Sequence, residues 1–325
     1  MGAESMVNWT YDLNVMHPCY ESDNASVSFS SRPSVTCVSV YVLLALLSAV
    51  TICGNLLVII SVMHFQQLHT PTNYFILSLS VADLLVGLLV FPFSMTLTVT
   101  ACLHRHNFAC QIRDSLDISL CTSSILNLCC ISIDRYYAVC RPLSYASKMS
   151  ARVASAMIGA CWSLAVVIAL GITVGGYSQG ACGEMCSVNV VLSNIMGPLL
   201  AFYLPAVVMS CIYLKIFFVA QKQLSSIHAS KSVSKVERKA TRTLAIVMGV
   251  FLLFMTPYFF SVVFQPLFRS PPSVAVMETL NWLTLSNSML NPFIYAFFYN
   301  WFRSAFKMII TGKIFEGDCA DCTLI

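Results

Sequence analysis

Hydrophobic and polar positions alternate along this chain in long blocks. Seven blocks stay apolar for roughly the 20 residues that a bilayer-spanning helix needs: about 36–63, 71–99, 111–139, 153–174, 192–219, 242–266 and 274–299. Polar or turn-forming segments separate them, such as His64–Thr70, Cys102–Asn107 and Ser178–Glu184. The short alternating segments of a transmembrane β-barrel and the internal repeat of many transporters are both missing from the sequence. The pattern predicts an all-α membrane protein, a seven-transmembrane helix bundle. It divides the chain into a polar N-terminal arm (1–34), the seven-span domain (35–300), an amphipathic helix on the membrane surface (301–311) and a tail (312–325). In that surface helix Phe302, Phe306, Ile309 and Ile310 share one face, with Arg303 and Lys307 on another.

Composition agrees with the pattern. Of 325 residues 58% are hydrophobic and only 10% charged, and the mean hydropathy is +0.78. A soluble domain carries about 25% charged residues. Soluble enzyme, disordered chain and nucleic-acid-binding domain are excluded. The net charge of +4 gains meaning from where the bases sit. With the N-terminus outside, 14 Lys and Arg fall in the inner loops and tail, and 4 (Arg32, Arg105, Arg113, Arg269) outside. The positive-inside rule selects that orientation. Sequons at Asn8 and Asn24 suit a glycosylated outer arm. The polar first 34 residues leave span one as its own targeting signal.

Of 15 cysteines, Cys53, Cys121, Cys129, Cys130, Cys161 and Cys211 lie inside spans, where thiols serve as small apolar groups. Cys19, Cys110, Cys182 and Cys186 sit on the oxidising side, where disulfides persist. Four cysteines allow three connectivities, and Cys102 on the same side competes.

Ionisable residues at membrane depth are costly and mark function. Here they are Asp83, Asp114, Asp117, Asp134 with Arg135, and Glu278. At about 1.5 Å per residue, Asp117 lies roughly 10 Å inward of Cys110 and roughly 27 Å outward of Arg135. Asp117 is therefore in the outer half of span three. A carboxylate reached by water only from outside, among Tyr258, Phe259 and Trp282 with Cys121 beneath it, suits an ammonium ion. Coulomb attraction and cation–π attraction both favour such a guest.

Ordered motifs extend the reading. They are Gly54-Asn55 in span one, Leu79-Ser80-Val81-Ala82-Asp83 in span two, Asp134-Arg135-Tyr136 closing span three and Trp162 in span four. Pro205 and Tyr213 follow in span five, Pro257 in span six, and Asn291-Pro292-Phe293-Ile294-Tyr295 in span seven. Over about residues 36–311 the chain resembles a rhodopsin-like (class A) G-protein-coupled receptor. Asn287-Ser288-Met289-Leu290-Asn291-Pro292, Tyr295 and Tyr299-Asn300-Trp301-Phe302 narrow the resemblance to the trace amine-associated receptor family.

That resemblance implies several roles. Asp117 takes the family's amine-binding position. Cys110–Cys186 is the implied superfamily disulfide, and Cys19–Cys182 the family's extra bridge. Arg135 is implied to pair with Asp134 and with Glu237 of span six until activation. Asp83, Ser124, Asn287, Ser288 and Asn291 match residues that hold an allosteric Na+ in relatives; no other cofactor is required. The implied partner is a stimulatory G protein of the Gs/Golf type that raises cAMP. The implied setting is the plasma membrane of olfactory sensory neurons.

Departures from the family pattern are equally specific. Met255 stands where relatives usually place Trp, and Phe254 where they place Cys. Leu285 replaces a Tyr that in many amine receptors hydrogen-bonds the aspartate. Gly197 and Ala201 replace the serines of catecholamine receptors, which argues against a catechol ligand.

Ligand charge turns on a second acid. Glu278 lies 14 residues before Pro292, close to four helical turns, on about the same face and some 21 Å farther out. A diamine such as cadaverine, or a polyamine, would use both Asp117 and Glu278, whereas a monoamine needs Asp117 alone. Asp114, one turn above Asp117, is the rival second anion, with Glu184 behind it. The alternative reading is a neurotransmitter-type receptor for a monoamine such as serotonin or histamine. A retinal pigment would need a lysine in span seven, where there is none, and no nucleophile, metal or phosphate-loop motif supports an enzyme. Cys319 and Cys322 are candidate acyl sites in the tail, and Cys322-Thr323-Leu324-Ile325 has a prenylation-like shape.

Overall fold

A computed structural model describes residues 35–100, 108–177, 195–225, 234–264 and 274–312, and nearly all of them are helical. Span one is α1 (Val35–His64). Span two is α2 (Pro71–Leu85) and α3 (Phe91–Thr100), joined through a wide turn at Val86–Val90. Span three is α4 (Phe108–Cys140), followed by a short helix α5 (Pro142–Lys148). Span four is α6 (Ala151–Tyr177); span five runs through a wide turn at Leu199–Tyr203 into α7 (Leu204–Ser225). Spans six and seven are α8 (Ser234–Phe264) and α9 (Val274–Phe298), and α10 (Asn300–Ile310) closes the order. No strand occurs among the described residues.

Six of these helices are long and apolar enough to cross a membrane. The seventh, α9, is 25 residues, about 37 Å at helical rise. Its lower apolarity comes from Asn281, Thr284, Asn287, Ser288 and Asn291, of which the last four are buried. Spans two and three are 61% and 56% buried, against 22–28% for one, four, five and six. Large apolar side chains such as Val167, Phe218, Leu253 and Phe297 point outward, more than 60% exposed. In water a belt of this kind would be an association surface; hydrocarbon is the solvent it fits. The chain is a multi-pass membrane protein.

Local chemistry sets the helix ends. Thr70 caps α2 by accepting the Asn73 amide at 3.3 Å, and Pro71 starts the helix where its missing N–H costs nothing. The two wide turns have a shared cause. In each an N–H reaches back five residues, Phe91 to Val86 and Leu204 to Leu199. Each is followed at once by a proline, Pro92 or Pro205. A proline lacks the N–H and crowds the carbonyl four residues back, and widening the preceding turn accommodates both. Several helices outrun their apolar blocks; α8 begins at Ser234 rather than near 242, because the helix continues into polar sequence. The short α5, with Pro142 in its first turn, was not foreseen.

Interhelical contacts lock the inner layer. Trp162 Nε1 donates to Ser78 Oγ at 3.0 Å, tying α6 to α2, and Ser115 Oγ lies 3.1 Å from Thr173 Oγ1 between α4 and α6. A Cβ placed on Gly54 would meet Pro292 carbons at 2.9 Å, so α1 and α9 approach as closely as a glycine permits. In α10, Phe302 and Ala305 turn inward, where Ala305 packs with Phe65 and Leu68. Phe306 and Ile310 remain exposed.

Candidate functional site

Two polar sites occupy the bundle interior. The first forms around Asp117 on α4, which is half-buried. Asn281 of α9 stands beside its carboxylate. Tyr258 of α8 lies within its electrostatic reach. Cys121, one turn along α4, sits between Asp117 and Asp83, and its Sγ is 3.9 Å from Met255 Sδ. Phe259 stacks on Phe202 at 4.4 Å and 3° and meets Tyr258 edge-on at 5.5 Å. The result is one anion with an amide, a phenol, aromatic rings and soft sulfur around it.

The Trp282 ring packs on Phe91 of α3 at 5.8 Å, beside Leu285, Val86, Val90 and Leu120. Consecutive residues on a helix diverge by about 100°, so with Asn281 facing α4, Trp282 faces span two. At the open end Arg113 Nη1 pairs with Asp114 Oδ1 at 3.3 Å and Arg113 Nε donates to Ser94 Oγ at 3.2 Å. Glu278 is half-buried one turn beyond Asn281 on the same face. It makes no ion pair among the described residues.

The second site is built on Asp83, 1% exposed. Asn291 Nδ2 donates to Asp83 Oδ2 at 2.7 Å and Ser124 Oγ to Oδ1 at 3.4 Å, with Ser288 beside the carboxylate. Asn55 Nδ2 reaches the Ser288 carbonyl at 3.1 Å, fastening α1 to α9 beside it. Asn287 is buried in the same layer. One carboxylate and two hydroxyls make a hard-oxygen set apt for a small monovalent cation.

Toward the same end as α5, Asp134 is fully buried and collects several donors. Thr72 Oγ1 donates at 2.7 Å, Tyr145 Oη at 2.8 Å and Arg135 Nε at 2.9 Å; Arg135 also bonds Thr72. Burial pushes the Tyr145 hydroxyl up from its ordinary range, and the Asp134 charge adds to this, so it stays a donor. Tyr299 and Tyr213 lie in electrostatic reach of Arg135. Tyr136 packs edge-on against Tyr137 with Lys215 Nζ 5.3 Å from its ring. The buried hydroxyls of Tyr295 and Tyr299 have no hydrogen-bond partner among the described residues. Such groups are satisfied by water or by a rearranged partner.

Known proteins carry the same layout. The family described as "7 transmembrane receptor (rhodopsin family)" matches residues 54–295. Trace amine-associated receptor 1 of Macaca mulatta is 39% identical, covering 94% of this chain and 97% of its own. Trace amine-associated receptor 4 of Mus musculus is 36% identical over 94% of each, and trace amine-associated receptor 9 of the same species 38% over 95% of each. The chain belongs to the trace amine-associated receptor family. That makes it a rhodopsin-like receptor and not an enzyme, as the sequence indicated.

Against that family pattern, two of the receptor's departures have structural consequences. Met255 is buried and meets Cys121 through sulfur, so a flexible thioether occupies the place of a rigid indole. Leu285 is buried in an apolar cluster and cannot hydrogen-bond Asp117. Asn281, four residues earlier and hence on the same face, stands beside Asp117 instead. The sequence reading missed Asn281, although a polar residue one turn from the missing tyrosine was the available signal. Several expected residues lie outside the described ones: Asn8, Cys19, Asn24, Cys102, Cys182, Glu184, Cys186, Cys319, Cys322, and the side chains of Cys110 and Glu237.

Proposed function

We propose that this receptor is chemosensory, binds a protonated biogenic amine, and prefers a diamine or polyamine such as cadaverine. The observation that carries the reading is the half-buried Asp117 carboxylate, with Asn281 and Tyr258 beside it. An ammonium there would gain Coulomb attraction at reduced dielectric and ring-face attraction from the aromatic side chains. Glu278 supplies the second anion. Asp114 is the poorer candidate because Arg113 already pairs with it. The three relatives are trace amine receptors by name, which supports the same ligand class.

In this reading the N-terminal arm faces outside and the Arg135 end faces the cytoplasm of an olfactory sensory neuron. Ligand binding shifts a pre-existing equilibrium, loosens the Asp134–Arg135–Thr72 cluster and opens the bundle to a stimulatory G protein that raises cAMP. Sodium at Asp83, Ser124 and Ser288, with Asn287 and Asn291 alongside, would offset the charge of Asp83 and favour the resting state.

A cAMP reporter panel of mono-, di- and polyamines tests the proposal on wild type, Asp117→Ala, Asp114→Asn and Glu278→Gln. Asp117→Ala should abolish amine responses, and Glu278→Gln should weaken diamine responses while sparing monoamines. Full amine responses in Asp117→Ala would refute the anchor. Equal diamine potency in wild type and Glu278→Gln would leave the monoamine reading.

A further inference from the structure

Among the described residues, the open end of the amine site carries four charged side chains: Arg113, Asp114 and Asp117 on α4 and Glu278 on α9. Arg113 and Asp114 precede Asp117 by four and three residues, so the three share a face of the helix. The guanidinium of Arg113 is pinned from two sides. Its Nη1 lies 3.3 Å from Asp114 Oδ1 on its own helix, and its Nε donates to Ser94 Oγ of α3 at 3.2 Å. Asp117 lies within its electrostatic reach. Holding by a second span makes this a fixed positive charge, and a fixed charge near a low-dielectric interior acts strongly on its neighbours.

We propose that Arg113 sets how many positive charges the preferred ligand carries. Among the described residues, three carboxylates and one guanidinium leave two net negative charges, which complement a dication. By engaging Asp114, Arg113 withdraws that acid from the ligand and leaves Asp117 and Glu278 as the anion pair. A third ammonium group would meet the guanidinium instead of an open carboxylate. Removing the Arg113 charge leaves these described side chains with three negative charges and favours triamines. This inference rests on Asp117 as the amine anchor, and it concerns discrimination among amines rather than amine binding itself.

The test measures apparent affinities for putrescine and spermidine by ligand-induced thermal stabilisation of the purified full-length receptor, which requires no assumption about the G protein. Arg113→Gln should raise spermidine affinity relative to putrescine by roughly tenfold. Arg113→Gln with Asp114→Asn restores the net charge and should return the ratio to wild type. Arg113→Lys keeps the charge and should leave the ratio within about twofold. Should Arg113→Gln fail to purify, Arg113→Met removes the same charge, keeps an unbranched side chain and should move the ratio in the same direction. An unchanged ratio in these variants, with Asp117→Ala binding neither amine, would overturn the role of Arg113 and leave the anchor intact. Retained binding in Asp117→Ala would overturn both.

Discussion

Asn281 of α9 stands beside the carboxylate of Asp117 across the bundle. Its amide is placed to donate to that carboxylate at the level of the proposed ligand. Hydrogen bonds to a charged partner contribute about 1.5–3 kcal/mol. Asn281→Leu, which preserves volume, should therefore weaken amine potency by about tenfold or more. Concentration–response curves with surface expression measured in parallel check this, and an unchanged midpoint would show that Asp117 needs no such support.

Gly54 lies against Pro292 so closely that a Cβ would sit 2.9 Å from two ring carbons. Neither a proline ring nor the backbone of α1 can yield cheaply there. Gly54→Ala should cost about 1–3 kcal/mol through overpacking, read as a lower melting temperature of the purified receptor. Gly159, with open space around its Cβ position, is the control: Gly159→Ala should leave stability unchanged or raise it slightly.

Span number and membrane class were legible in the sequence because length and apolarity alone decide them. That Asp117 and Arg135 share one span was legible too, since a single helix runs over Phe108–Cys140. Which side chains face one another was less so. Helix rotation is set by packing, and a turn of about 100° separates Asn281 at Asp117 from Trp282 at Phe91. The Arg113–Asp114 pair was equally hidden, because adjacent helical residues do not ordinarily face each other. It forms at the open end, where Ser94 of the neighbouring span draws the guanidinium across.

Asp134 accepts hydrogen bonds from Thr72, Tyr145 and Arg135. Asp134→Asn keeps the shape and removes the charge that holds the guanidinium. On the proposed signalling reading, basal cAMP should rise severalfold without ligand. Tyr145→Phe removes one neutral donor and should give a smaller rise in the same direction. A basal signal at wild-type level in both variants, at matched surface expression, would show that this cluster does not hold the resting state.

Asp83 is nearly inaccessible, with Asn291 and Ser124 hydrogen-bonded to its carboxylate and Ser288 beside it. A buried carboxylate is stabilised by donors, but a bound cation would offset its charge more completely. If sodium binds there in the resting state, it must oppose any agonist that prefers the other state, because coupling between two sites is reciprocal. Replacing sodium by N-methyl-D-glucamine at constant ionic strength should then raise agonist affinity, with a coupling factor of roughly 5-fold or more. Asp83→Asn keeps the hydrogen-bonding shape and removes the charge, so its agonist affinity should be indifferent to the exchange. A wild-type affinity unmoved by sodium replacement would assign the cluster to a hydrogen-bonded packing role in which no ion takes part.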